Sequence, residues 1–166
     1  MNRRFFLAAM PAALVSGCGF QLRRLDGIPF ASLYLDAPPG SAVAQRIRTM
    51  LISSKTTRLT ATPDQAEATL SMGPEERSKT ILSLSGAGRV TEYRLGLQLT
   101  YSIVSRDGRV LGEPETIDLS RDLTYDDTQL LAKGAEEQLL YRDMEDSATQ
   151  RILRRLRNLT PGNGSS

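Results

Sequence analysis

The chain has 166 residues and a formal net charge of +2, with no histidine, no tryptophan and a single cysteine. Histidine acid–base catalysis and histidine-ligated metal sites are therefore excluded, and a lone cysteine excludes an intramolecular disulfide framework. Aromatic residues make up only 5% of the chain, so its core must be aliphatic.

At the amino terminus, Arg3 and Arg4 precede a short apolar run from Phe5 to Val15, which is the order of a secretory signal. A membrane-spanning helix needs roughly 20 apolar residues. This run is shorter, and Pro11 interrupts it. It closes on Val15-Ser16-Gly17-Cys18, which resembles a bacterial lipobox. Small residues admit the backbone to the peptidase cleft, and the Cys18 thiol takes the diacylglycerol. The expected division is a signal peptide over 1–17, an acylated end and tether over 18–30, a folded domain over 31–159 and a disordered tail over 160–166. Asn2-Arg3-Arg4-Phe5-Phe6-Leu7 also resembles a twin-arginine export motif. Paired arginines occur in ordinary signals too, which leaves both export routes open. Gly19 follows the cysteine where inner-membrane retention favours aspartate, so the outer membrane is the expected destination. Removal of residues 1–17 leaves 149 residues (166 less 17), and the 21 basic side chains fall to 19 against 19 acidic ones. A neutral mature chain argues against a general nucleic-acid binder.

Ala31 to Leu35 alternates as a first strand, which Pro38-Pro39-Gly40 ends. Ser41 is a suitable N-cap for an amphipathic helix running to about Ser53, with Val43, Ile47, Met50 and Leu51 at helical spacing. A weak strand is expected near Arg58 to Ala61. Ala68 to Met72 and Thr80 to Ser85 read as strand on either side of Gly73-Pro74, before a turn at Gly86-Ala87-Gly88. From Val90 a long alternation sets Leu95, Leu97, Leu99, Tyr101 and Ile103 on one face. Asp107-Gly108 marks a hairpin, and Leu111, Ile117, Leu119 and Leu123 lie on one face of the returning strand. A two-residue turn would set Leu97 against Asp118. A three-residue loop of Arg106-Asp107-Gly108 instead pairs Leu97 with Ile117, Leu95 with Leu119 and Ile103 with Leu111. The opposite face, with Gln98, Thr100, Ser102, Asp118 and Ser120, is polar, so one side of the sheet is left uncovered.

Asp126-Asp127-Thr128 caps a final helix reaching about Asn158, roughly 45 Å long. Leu130, Tyr141, Met144, Ala148, Ile152 and Leu159 form its apolar side, and Gly134 is a position for a break or kink. The predicted fold is α+β, a two-layer sandwich in which two helices pack on one face of a mainly antiparallel four-stranded sheet.

No catalytic constellation emerges. Lys55, Lys79 and Lys133 are the lysines available to activate a serine, and none sits in a recognisable motif. No enzyme activity and no cofactor are expected. Two features stand out instead. In Gly88-Arg89-Val90-Thr91-Glu92-Tyr93 a glycine turn delivers an arginine to the start of the longest strand. In Leu131-Ala132-Lys133, with Glu136 and Glu137, Lys133 and Glu137 form an i, i+4 pair beside the apolar stripe. Each has a plainer reading, a solvated strand end and an ordinary helix salt bridge. The run Arg151, Arg154, Arg155 and Arg157 near the helix end is read as offsetting the helix dipole, with an anion-binding patch as the alternative.

Taken in order, these fragments resemble the lipopolysaccharide-assembly lipoprotein family LptE. The resemblance is carried by Cys18-Gly19-Phe20-Gln21-Leu22-Arg23, Gly88 to Tyr93, Tyr101, Asp107-Gly108, Arg121-Asp122-Leu123-Thr124-Tyr125-Asp126 and Leu131-Ala132-Lys133. Glu137, Met144, Ile152 and Arg155-Leu156 complete it. The resemblance implies a non-enzymatic outer-membrane lipoprotein, held by its lipid at Cys18. It also implies that the domain plugs the lumen of the β-barrel LptD in a 1:1 complex, helps that barrel assemble, and takes part in inserting lipopolysaccharide into the outer leaflet. Basic residues of the family are implicated in lipopolysaccharide binding, and the matching positions here are Arg89 and Lys133. Gly134 departs from the pattern, where a helix former is expected. The second reading is a substrate-binding or auxiliary lipoprotein of another envelope transport system.

Overall fold

Residues 27–159 are described by the computed structural model. The segments expected to be a signal and a tail, and Cys18, lie outside the described residues. In chain order the elements are β1 (Ser32–Asp36), α1 (Ala42–Ser54), β2 (Arg58–Leu59), a 3-10 turn (Pro63–Gln65) and β3 (Ala68–Met72). They continue with β4 (Glu76–Leu84), β5 (Val90–Ser105), β6 (Glu115–Thr124), a second 3-10 turn (Asp127–Gln129) and α2 (Leu130–Asn158).

Local chemistry accounts for the boundaries. The Ser41 hydroxyl accepts the Ala44 N–H at 3.0 Å, capping α1. Glu75 reinforces this helix start by accepting the Val43 N–H at 3.0 Å. Lys55 ends the helix in the left-handed region at φ 57°. Val43, Ala44, Ile47 and Leu51 are its buried stripe.

The sheet has six strands where four were expected, and it is mixed: it is mainly antiparallel as expected, with two parallel pairings at β1. β1 runs parallel to both β2 and β3, while β3, β4 and β6 run antiparallel to β5. Parallel pairing needs a crossover: α1 carries the chain back between β1 and β2, and the connection over residues 60–67, with its 3-10 turn, carries it back again and across β1 to β3. β4 and β6 both pair with residues 92–98 of β5, so they occupy its two opposite edges. β3 and β6 both pair with Tyr101, so β3 lies on the same edge as β4. The sixteen-residue β5 is thus the central strand of the sheet.

The β5–β6 hairpin begins as expected. Ser105 donates its N–H to the Arg109 carbonyl at 2.8 Å, leaving Arg106, Asp107 and Gly108 as the loop, with Gly108 at φ 83°. Leu111 donates to the Ile103 carbonyl at 2.7 Å. Beyond that point the expected register fails, because Leu97 pairs with Leu119 and Leu99 with Ile117. The slip is two residues and arises over Gly112-Glu113-Pro114, where Gly112 has φ 81° and proline has no N–H for the ladder. An even slip keeps every side chain on its face. Leu97, Leu99 and Ile117 are fully buried, and Gln98, Thr100, Asp118 and Ser120 remain exposed.

Asp126 caps the second 3-10 turn and not the final helix, whose N-cap is Gln129 with no side-chain hydrogen bond. α2 crosses Gly134 as one 29-residue helix, so the glycine neither breaks nor ends it. Tyr141, Met144, Ala148 and Ile152 are buried as expected. Leu130 is not: it is 60% exposed, because the first turns of α2 run out beyond the helix's buried residues, which begin at Tyr141. Ile28 and Phe30, from the stretch expected to be a tether, join the core. Gly134 is exposed, and a methyl group there would meet nothing within 4 Å. Gly134→Ala is therefore expected to stabilise the domain by about 1 kcal/mol, read as a higher urea midpoint. A lower midpoint would contradict a continuous helix at this position.

The topology gives the domain two poles. At one, the β4–β5 loop meets the end of β6 and the start of α2, where Tyr125 donates to the Thr91 carbonyl at 2.8 Å. At the other lie the start of β1, the end of α1, β2 and the 106–108 loop. The Arg155 guanidinium, near the end of α2, packs there against Gly112 so closely that any side chain on the glycine would collide with it. β5 runs between the poles and is about 50 Å long at its sixteen residues.

Candidate functional site

The first pole gathers cations from separate segments. At its tip, Gly88 adopts φ 74° and donates to the Ser85 carbonyl at 2.9 Å, and Ser85 donates to the Arg89 carbonyl at 2.7 Å. These bonds fix the Arg89 backbone and leave its side chain 74% exposed, with Nη1 3.7 Å from the Asp127 carboxylate. Asp126 accepts from the Thr128 N–H at 2.9 Å and from the Thr128 hydroxyl at 2.7 Å. Those hydrogen bonds hold its carboxyl below the usual range, and the nearby charge of Lys133 adds to the effect. Arg89 and Lys133 thus flank the acidic pair Asp126-Asp127 from the hairpin and the helix respectively.

The expected Lys133–Glu137 pair does not form. Lys133 instead pairs with Glu136 at 2.8 Å. Glu137 turns to the sheet and takes Lys79 of β4 at 2.6 Å, and this hydrogen bond raises the Lys79 pKa. Lys79 Nζ also sits 4.4 Å from the centre of the Tyr93 ring, which meets Tyr125 edge to face at 5.1 Å. Deeper along the same face, Glu145 of α2 bridges Arg46 of α1 at 2.9 Å and Arg77 of β4 at 2.5 Å. Reading β4 from Thr80 missed these ties. The available signal was the alternation of Arg77, Lys79 and Ile81, which register opposite Leu97, Leu95 and Tyr93.

An exposed guanidinium offers paired donors to a phosphate, and an ammonium offers a compact charge with donors left over after one carboxylate contact. The pole can therefore hold a phosphorylated or otherwise anionic ligand. Among the described residues no cluster of carboxylates or thiols has metal-binding geometry, and no helix is long and apolar enough to cross a membrane. The arginines at the end of α2 divide: Arg155 and Arg157 lie in the last turn, where a cation offsets the dipole, whereas Arg151 and Arg154 stand exposed one turn earlier.

The family model named LptE, lipopolysaccharide-assembly, matches residues 30–156. The chain belongs to the LptE family. The match takes in the glycine turn with Arg89, the Leu131-Ala132-Lys133 segment and nearly all of α2. An LPS-assembly lipoprotein LptE of Photorhabdus laumondii is 24% identical over 153 residues, covering 90% of this chain and 82% of the relative. The solution structure of lipoprotein B from Nitrosomonas europaea superposes with a TM-score of 0.72 at 33% identity, covering 84% of this chain and 90% of that one. The crystal structure of rare lipoprotein B from Shewanella oneidensis gives 0.65 at 25% identity, over 75% and 92% of the two chains. The α+β fold described above is therefore shared with these two lipoproteins.

Proposed function

We propose that this protein is a non-enzymatic outer-membrane lipoprotein, acylated at Cys18, that plugs and helps assemble the LptD β-barrel. In that complex it takes part in inserting lipopolysaccharide into the outer leaflet, with Arg89 and Lys133 contacting the lipid phosphates. The observation that carries this reading is the convergence of Arg89 and Lys133 at one pole, from elements distant in sequence. Two physical features support it. The outer sheet face is polar along its length, with Thr100 and Thr116 hydroxyls bonded at 2.9 Å and Arg94 gripping Asp122 at 2.8 Å; barrel lumens are likewise polar. The chain comes in at one pole and the cations stand at the other, about 50 Å away along β5, while a bilayer with its headgroups is about 40–45 Å thick. A domain standing upright from the periplasmic leaflet therefore brings Arg89 and Lys133 to the depth of the outer headgroups.

Each charge-assisted hydrogen bond contributes about 1.5–3 kcal/mol, or at least tenfold in affinity. The Arg89→Ala, Lys133→Ala double variant is expected to bind lipopolysaccharide at least a hundredfold more weakly, with an unchanged far-ultraviolet spectrum. Wild-type protein should lose a similar factor toward dephosphorylated lipopolysaccharide. Equal binding by the variant would refute the site. A monodisperse lipoprotein that brings down no outer-membrane barrel in detergent would refute the plug.

A further inference from the structure

At the opposite pole, the carboxyl end of α1 and β2 enclose an open cleft of about 690 Å³. Arg48, Lys55 and Arg58 line it, over an apolar floor that includes Leu51 and Leu59. Ile52 stands on the rim, 64% exposed. Among the described residues none of the three cations has a carboxylate within ion-pair distance. Offsetting the α1 dipole accounts for Lys55 at the helix end. It does not account for Arg48, nearly two turns earlier, or for Arg58 on the neighbouring strand. By contrast, the cations of the Arg89 pole all stand beside acids.

The cleft also lies where the chain joins the fold. Ala31 forms part of its wall, Arg58 donates its N–H to the Ala31 carbonyl at 2.9 Å, and the buried Thr57 hydroxyl donates to the Phe30 carbonyl at 3.0 Å. Cys18 precedes Gly27 by nine residues, which span at most about 31 Å. Any membrane holding an acyl chain at Cys18 therefore lies within reach of this cleft.

We infer that Arg48, Lys55 and Arg58, with Ile52 between them, form a docking surface for anionic phospholipid headgroups of the leaflet that holds the anchor. This rests on the reading that Cys18 is acylated. Three cations with no ion pair among the described residues, around one exposed aliphatic side chain, complement a phosphate layer with hydrocarbon beneath it. Contact at this pole sets the domain upright, with the Arg89 pole pointing away from the anchored surface. The lipid at Cys18 supplies attachment, and the cleft supplies orientation.

The test uses the full-length lipoprotein purified from membranes. Its only cysteine is consumed by acylation, so Ile52→Cys introduces one free thiol for an environment-sensitive fluorophore, and Ser120→Cys on the polar sheet face serves as control. Both are reconstituted in mixed phosphatidylglycerol–phosphatidylcholine vesicles and in phosphatidylcholine vesicles. The label at position 52 is expected to shift to the blue and to be quenched by a lipid-borne quencher in the mixed vesicles only. Adding Arg48→Ser, Lys55→Ser and Arg58→Ser should abolish the shift while the circular dichroism stays unchanged. The label at position 120 should remain aqueous throughout. An aqueous signal at position 52 with Cys18 acylated by mass overturns the proposal alone. So does a lipid signal at both positions, or a shielded label at position 52 only when the barrel partner is added. A free, labelled Cys18 thiol overturns the anchor reading and this proposal with it.

Discussion

Glu145→Ala is expected to destabilise the domain by about 3 kcal/mol, seen as a fall of about 10 °C in the thermal midpoint. The Glu145 side chain is only 4% exposed, and its two oxygens receive guanidinium groups from α1 and β4. One carboxylate on α2 thus ties together the second helix and the edge strand of the sheet. Its removal leaves two arginines facing each other across a gap. Both retain some solvent, at 31% and 43% exposure, and Arg46 keeps Asp146 at 2.9 Å while Arg77 keeps the Tyr141 ring at 4.9 Å. These remaining contacts place the cost at the lower end of the 3–5 kcal/mol typical of a broken buried pair. Arg77→Ala should cost clearly less, since Glu145 still holds Arg46. Equal losses for the two variants, or a loss below about 1 kcal/mol for Glu145→Ala, would show that the bridge does not organise the packing.

Met144→Ala is expected to cost about 3 kcal/mol, within the range for emptying a fully buried methionine site. Met144 has no exposed surface and belongs to the smaller of two apolar clusters, with Leu95, Leu97, Leu123 and Tyr141. The larger cluster fastens α1 and the carboxyl half of α2 to β1, β3 and the far ends of β5 and β6. The smaller cluster is the apolar hold on the amino half of α2, which carries Lys133. The other ties there are polar and include Lys79 with Glu137 and Arg121 with Asp143 at 2.6 Å each, and the Tyr141 hydroxyl, which donates to the Ser78 carbonyl at 2.8 Å. The loss in Met144→Ala should therefore be uneven. Amide exchange is expected to quicken over residues 130–143 more than over α1. Uniform acceleration across both helices would mean that the two clusters unfold as one.

The local features that depend on short-range chemistry were legible in the chain. Ser41 caps α1 because its hydroxyl reaches the third residue along. Gly108 supplies the positive φ that closes the β5–β6 hairpin. The alternation through Leu95, Leu97 and Leu99 divides buried from exposed faces, since a strand repeats every two residues. Arg89 and Lys133 stood out in the chain by a glycine turn and a helix segment, and only the family resemblance gave them a role. Nothing in their spacing put them at one pole.

Where two elements meet, the chain alone was silent or misleading. The Leu97–Ile117 pairing was undone by Gly112-Glu113-Pro114, which absorbs two residues without moving any side chain to the other face, so alternation cannot detect it. The pairing of Lys133 with Glu137 followed helical spacing, but Lys79 lies nearer to hand on β4 and captures the acid. The parallel pairing of β1 depends on α1 folding back over the sheet, which no local propensity specifies.

The sequence by itself determined the lipobox-like end, the Ser41 cap, the turn glycines and which strand faces are apolar. All of these arise from interactions within a few residues of chain or from a simple repeat. Only the tertiary structure decided that the sheet is mixed and that Glu145 joins three elements. It alone set Arg48, Lys55 and Arg58 of α1 and β2 beside the incoming chain, with Arg89 and Lys133 a full strand length away. The reason is physical: charge pairing and polarity along an axis depend on distances through space, and those exist only once the long central strand has aligned its partners.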